Sequence, residues 1–170
     1  MPDERPLSPT AQYIARGLCR YLIQAGYSPL TELILPNGRR VDVIAIDRAG
    51  TIVVVEIKSS VEDFRSDQKW QDYLPYCDQF YFAVAESFPT VLIPETCGLY
   101  VADAYGAAML RDVVHTPVAA ARRRALLLRF ATVAAERLRL TLDPPTPTVL
   151  PGIGALGGGN PGGGTNAPGA

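Results

Sequence analysis

Residues 40–60, RVDVIAIDRAGTIVVVEIKSS, constrain this chain more than any other stretch. Two apolar runs, 40–46 and 51–58, flank a short turn ending in Gly50, the pattern of an antiparallel β-hairpin whose loop needs one left-handed residue. The runs are apolar at nearly every position, so the hairpin is expected to be buried on both faces. Into it the chain places Asp42, Glu56 and Lys58, three ionisable groups that are unfavourable to bury unless paired or ligated. With Arg48-Ala49-Gly50 as the loop, Asp47 pairs with Thr51 and Asp42 falls directly opposite Glu56, with Cβ atoms about 4.5–5.5 Å apart. Lys58, two residues beyond Glu56, shares that face.

Two carboxylates this close repel in a low-dielectric setting, and one takes up a proton unless a cation sits between them. A divalent metal removes the conflict, and oxygen ligands of this kind suit Mg²⁺, which keeps several waters and bridges to phosphate. Lys58 then positions or deprotonates a water, or stabilises negative charge on a phosphate under attack. The plainer alternative is an ion pair of Lys58 with Glu56 or Asp42 at the sheet margin. The hairpin registration and the apolar context of both strands favour the site.

Around the hairpin the periodicities are clear. SPTAQYIARGLCRYLIQAGY carries Ser8 or Thr10 as a helix N-cap, apolar Ile14, Leu18, Tyr21 and Leu22 at helical spacing, and Gly26 as a stop. LTELIL (30–35) and the turn PNGR lead into the hairpin as a β-meander. DFRSDQKWQDYLPYC suits one helix ending near Pro75, QFYFAVA (79–85) a strand, and ESFPTVLIPETC a loop. GLYVAD and AAMLRDVV are two further strands joined at AYG, and a basic amphipathic helix over 117–140 closes the domain. The domain is expected to end at residue 142, because 143–170 hold nine of the 15 glycines and six of the 15 prolines and read as a disordered tail.

Composition excludes several classes. The three cysteines are far apart with no CxxC pair, which argues against a disulfide framework or a zinc knuckle. The single histidine, His115, rules out any site needing two, and no phosphate-cradling glycine loop precedes a helix. No apolar run approaches the roughly 20 residues that cross a bilayer, and the acidic start MPDERPLSP is unlike a secretory signal, so a soluble cytoplasmic protein without membrane contact is expected. The net charge of −1 conceals an uneven distribution: residues 1–116 carry a balance of −5 and 117–140 a balance of +5.

A helix, a meander bearing D-x13-E-x-K, then a helix and another strand resemble the PD-(D/E)XK nuclease superfamily, the restriction-endonuclease-like fold. More narrowly, VVVEIKSSVEDFRSDQKWQDYLPYCDQFYFAV with GLYVAD resembles the MmcB family of bacterial DNA-repair proteins, over residues from about 8 to 140. The resemblance implies an α/β fold with a mixed central sheet of five or six strands flanked by helices. It implies Asp42 and Glu56 as ligands of Mg²⁺ or Mn²⁺, Lys58 as the catalytic lysine, and DNA as the partner. Related nucleases often carry Gln and Tyr four residues apart on the following helix, where this chain has Lys69 and Tyr73; at helical spacing these share a face, with Lys69 toward the phosphate. Many relatives also place an acid on the first helix, whereas residues 10–26 contain none. Gln12 is a weak substitute, and Glu32 on the first strand is either the missing carboxylate or a solvent-facing charge.

Arg39 and Arg40 flank the hairpin turn and either contact DNA phosphates or are solvated. Arg122, Arg123, Arg124 and Arg129 either grip a duplex without sequence preference or form a charged outer face. Trp70 is expected in core or rim packing. Two functional readings follow. The first is a metal-dependent DNA nuclease in repair that hydrolyses phosphodiester bonds. The second is a noncatalytic repair adaptor that binds DNA or a protein partner and uses the charged trio as an ion-pair cluster.

Overall fold

The computed structural model of the chain describes residues 7–67 and 69–145. The expected tail over 143–170 lies outside them from residue 146 onward. Helix α1 (Pro9–Gln24) leads to strands β1 (Ser28–Ile34), β2 (Arg40–Ile46) and β3 (Ile52–Lys58), then to a short helix α2 (Val61–Ser66). A 3-10 helix (Trp70–Tyr76), β4 (Gln79–Val84), a 3-10 turn (Thr90–Leu92), β5 (Gly98–Ala102), β6 (Ala107–Arg111) and α3 (Ala120–Leu142) complete it. The six strands form one mixed sheet in sequence order, antiparallel from β1 to β3, parallel from β3 to β5, and antiparallel again to β6. This is the α/β architecture of a mixed sheet with flanking helices that the resemblance implies.

Every residue of β3 is buried, because helices cover both faces of the sheet at its centre. On one face α1 lays Ile14, Leu18 and Leu22 on Val43, Val55, Tyr81 and Tyr100. Ser8 caps its N-terminus by accepting the N–H of Ala11, and Pro9 takes the first turn, where a missing N–H does no harm. A Cβ on Gly17 would stand 2.0 Å from the carbonyl oxygen of Asp103, so only glycine lets α1 lie this close to the β5–β6 turn. On the other face the 3-10 helix and α3 bring Tyr73 and Leu126 onto Ile44, Val54, Phe80 and Phe82. Trp70 stacks on Phe80 at 5.6 Å between ring centroids, in the packing role its position predicts. Burying an aliphatic side chain of this size contributes about 1.5–3 kcal/mol.

The helix expected to run to Pro75 is broken in two. Helix α2 stops at Ser66, Asp67 leaves helical geometry with φ −103° and ψ 101°, and the chain resumes as a 3-10 helix. Its tighter, three-residue turn undoes the shared face expected for Lys69 and Tyr73. Lys69 is exposed at the start of the 3-10 helix, whereas Tyr73 is buried and donates its hydroxyl to the carbonyl of Arg40 at 3.3 Å.

The basic helix is held to the body by its arginines. Arg123 bonds Asp78 and the carbonyl of Gly50, Arg122 bonds the carbonyl of Pro75 and lies over the Tyr76 ring, and Arg129 bonds the carbonyl of Ile34. Arg137 donates to the carbonyls of Thr31 and Glu32. Three of the four arginines considered for a grip on a duplex are thus engaged with the protein's own backbone and carboxylates. No described helix is long and apolar enough to cross a membrane.

Candidate active site

The hairpin turn is as the sequence predicts. Gly50 takes φ +84°, its N–H donates to the carbonyl of Asp47, and Ile46 pairs with Ile52 through to Val43 with Val55. Continued by one residue, that register sets Asp42 opposite Glu56, but the ladder stops at Val43. Leu30 pairs with Ile44 and Leu33 with Val41, and all four pack on the same face although an odd step separates them. A strict period of two forbids this, so both strands change face at Glu32 and Asp42. Glu32 is the one described non-glycine residue with positive φ, at 52°, and Arg137 holds the carbonyls on either side of its Cα. Released from the ladder, Asp42 accepts the main-chain N–H of Ile57 on Oδ2 at 2.7 Å.

Asp42, Glu56 and Lys58 open together into a cleft of about 1180 Å³. Its walls come from Ser8, the cap of α1, and Ala11 within it, from Arg39 and Arg40, and from Asp63, Asp67, Lys69 and Tyr73. Gln12 is not among the lining residues and donates to the carbonyl of Leu7 instead. Glu32 also lies outside the lining and pairs with Arg40 at 3.5 Å. Arg39 pairs with Asp72 at 2.8 Å. The acid that does meet the trio is Asp67, which sequence reasoning missed: Lys58 Nζ donates to Asp67 Oδ2 at 2.6 Å and to Glu56 Oε1 at 3.3 Å.

Burial sets the electrostatics. It pushes Asp42 up to about 6 against the opposing pull of the Ile57 N–H and the Lys58 ammonium. It raises Glu56 well above the usual carboxylate range, and the neighbouring Asp42 raises it further. Burial alone would lower Lys58, but Glu56 and Asp67 outweigh it and keep the side chain an ammonium. Burial would raise Asp67 as well, yet the hydrogen bond from Lys58 holds its carboxylate below the ordinary value.

Glu56 Oε2 is buried and has no hydrogen-bond partner among the described residues. Each such buried orphan is unfavourable by several kcal/mol on the order of the transfer penalty, more when charged. An orphaned carboxylate oxygen beside a second acid fits a hard divalent cation, which needs only one or two protein carboxylates and completes its shell with water. Among the described residues no group of three or more acidic, histidine or cysteine side chains is placed to hold a metal together. A cation here would rest on Asp42 and Glu56.

No curated protein matches this sequence. A protein of unknown function from Silicibacter pomeroyi is 43% identical, covering 82% of this chain and 95% of that one, with a TM-score of 0.78. A repair endonuclease from Pyrococcus abyssi is 22% identical over 50% of this chain and 40% of that one, with a TM-score of 0.32, too low to carry weight for fold or function. The family described as "DNA repair protein MmcB-like" matches residues 2–145, the hairpin, the cleft and the α3 clasp included. By that match the chain belongs to the MmcB-like family of DNA repair proteins.

Proposed function

We propose that the protein is a metal-dependent DNA nuclease of a repair process, hydrolysing phosphodiester bonds in the cleft beside Lys58. The observation that carries this reading is Glu56 Oε2, a buried carboxylate oxygen with no hydrogen-bond partner among the described residues, on a side chain that lines the cleft together with Asp42. Asp42 and Glu56 would hold Mg²⁺ or Mn²⁺, with Asp42 kept in place by the Ile57 N–H. When bound, the cation supplies Lewis acidity toward a phosphodiester. Lys58, kept as an ammonium, is suited to stabilising the negative charge that grows on the phosphate, and not to taking a proton from water. Lys69, exposed on the cleft wall, is suited to a phosphate of the DNA strand, and Arg40 lines the same cleft. Tyr73, with its hydroxyl on the Arg40 carbonyl, would act on DNA through the placement of Arg40.

One observation favours the noncatalytic adaptor instead. Lys58 already lies between Glu56 and Asp67, and with burial pushing Glu56 toward its protonated form the Lys58 ammonium and the Asp67 carboxylate balance each other without a cation. Incubation of the pure protein with supercoiled, single-stranded, mismatched and branched DNA in Mg²⁺ or Mn²⁺ separates the two. Cleavage that Asp42→Ala and Lys58→Ala both abolish supports the nuclease; DNA binding that survives with no cleavage by the wild type supports the adaptor.

A further inference from the structure

The tightest hold on Lys58 comes from a residue outside the D-x13-E-x-K pattern. Lys58 Nζ is 2.6 Å from Asp67 and 3.3 Å from Glu56, so the ammonium sits closer to the acid nine residues on than to the one two residues before it. From this geometry we propose that Asp67 is the positioning residue for Lys58, fixing its ammonium on the cleft floor and keeping it off the free oxygen of Glu56. The role in turnover rests on the nuclease reading above.

Asp67 is built for the task. Its Oδ1 accepts the main-chain N–H of Lys69 at 3.0 Å, which leaves Oδ2 pointing at Lys58. Asp67 reaches Lys58 from the point where the helix breaks, with φ −103° and ψ 101° just past Ser66. Upstream, Asp63 Oδ2 accepts from both the N–H and the hydroxyl of Ser59, at 3.0 and 3.1 Å, while Ser60 Oγ accepts the N–H of Asp63. The segment that leaves β3 at Lys58 is therefore tied down at its start and returns to Lys58 at its end. A lysine stem has four rotatable carbons and wanders unless its head is bound.

The arrangement also answers a conflict in the site. A cation on Asp42 and Glu56 and an ammonium paired with Glu56 alone would compete for one carboxylate. With Asp67 as its main partner, Lys58 stays beside the cleft while Glu56 Oε2 remains unpartnered.

The chain has only two lysines, Lys58 and Lys69, which makes the test direct. In the full chain labelled with ¹⁵N-lysine, a slowly exchanging ammonium resonance is expected that persists in Lys69→Ala. It should vanish in Asp67→Asn and return in Asp67→Glu, with all three variants melting within a few degrees of wild type. In the cleavage assay Asp67→Asn should lower kcat on the order of 10- to 100-fold with KM for DNA within about twofold, the effect of a displaced group and not of lost binding. A resonance unchanged in Asp67→Asn overturns the proposal, as does its loss without any change in kcat. If Asp67→Asn folds poorly, Asp67→Ser is read in the same two assays. Wild-type protein that cuts no DNA sinks the nuclease reading, and the resonance then judges the hold of Asp67 on Lys58 alone.

Discussion

Asp78 accepts from both terminal nitrogens of Arg123, at 2.5 and 2.7 Å, joining α3 to the start of β4 across 45 residues of chain. The same carboxylate accepts the N–H groups of Ile52 and Val118 at 2.7 and 2.9 Å, so a side chain only 1% exposed has every lone pair in use. Burial alone would raise its pKa, but Arg123 and these N–H groups bring it down to about 2.

Asp78→Ala should destabilise the fold by about 3–5 kcal/mol, since it strands two buried N–H groups and removes the partner of Arg123. Asp78→Asn should lose less. The carboxyl titrates near 2 in the folded chain and near the ordinary ~3.9 when unfolded, so its contribution is complete above about pH 4 and is lost as pH falls toward 2. Urea melts at pH 5, 3 and 2 check this: the acid loss should be shallower in Asp78→Asn than in wild type.

Asp42 and Glu56 carry the opposite sign. Their pKa values are raised, so the folded chain binds protons more tightly than the unfolded one; stability falls as pH rises from about 4 through about 6 for Asp42, and Glu56 acts in the same direction. In EDTA, Asp42→Asn should flatten that decline and melt above wild type near neutral pH. Added Mn²⁺ should raise the melting temperature of wild type and leave Asp42→Asn and Glu56→Gln unchanged. A wild-type melting curve indifferent to Mn²⁺ would count against the cation site.

Glu32 holds a left-handed backbone that a side chain adopts at roughly 1–3 kcal/mol of strain. Glu32→Gly should leave stability within about 1 kcal/mol of wild type, because relief of strain offsets the lost pair with Arg40, whereas Glu32→Val should lose about 1–2 kcal/mol. Calorimetry decides both. Glu32→Gln should keep Mn²⁺ affinity within about twofold, and a drop of tenfold or more would make Glu32 a ligand.

Lys69 and Arg129 should separate DNA contact from architecture. Lys69→Ala should weaken DNA binding and reduce the slope of log affinity against log salt by about 1. Arg129→Ala should lower the melting temperature and leave that slope unchanged, because its guanidinium is spent on the carbonyl of Ile34. Fluorescence titrations at several salt concentrations measure both.

The sequence alone determined the elements whose cause lies in contiguous residues. The two continuous apolar runs 40–46 and 51–58, with Gly50 at φ +84°, specified the hairpin and its register from Ile46 with Ile52 to Val43 with Val55, and Asp42, Glu56 and Lys58 do open into one cleft. Ser8, Pro9 and the spacing of Ile14, Leu18 and Leu22 specified α1 in the same way. Tertiary structure decided the rest. The change of face at Glu32 and Asp42 depends on Arg137, about 105 residues away, and the arginines of α3 could not be assigned to clasps before their backbone partners were in place. The helix break at Asp67 was equally invisible, because helical propensity over 61–75 is read from neighbours while the break is stabilised by a lysine on another element. Period and turn chemistry are local energies, written along the chain. The partner of a buried charge is chosen only when distant segments meet and water is gone.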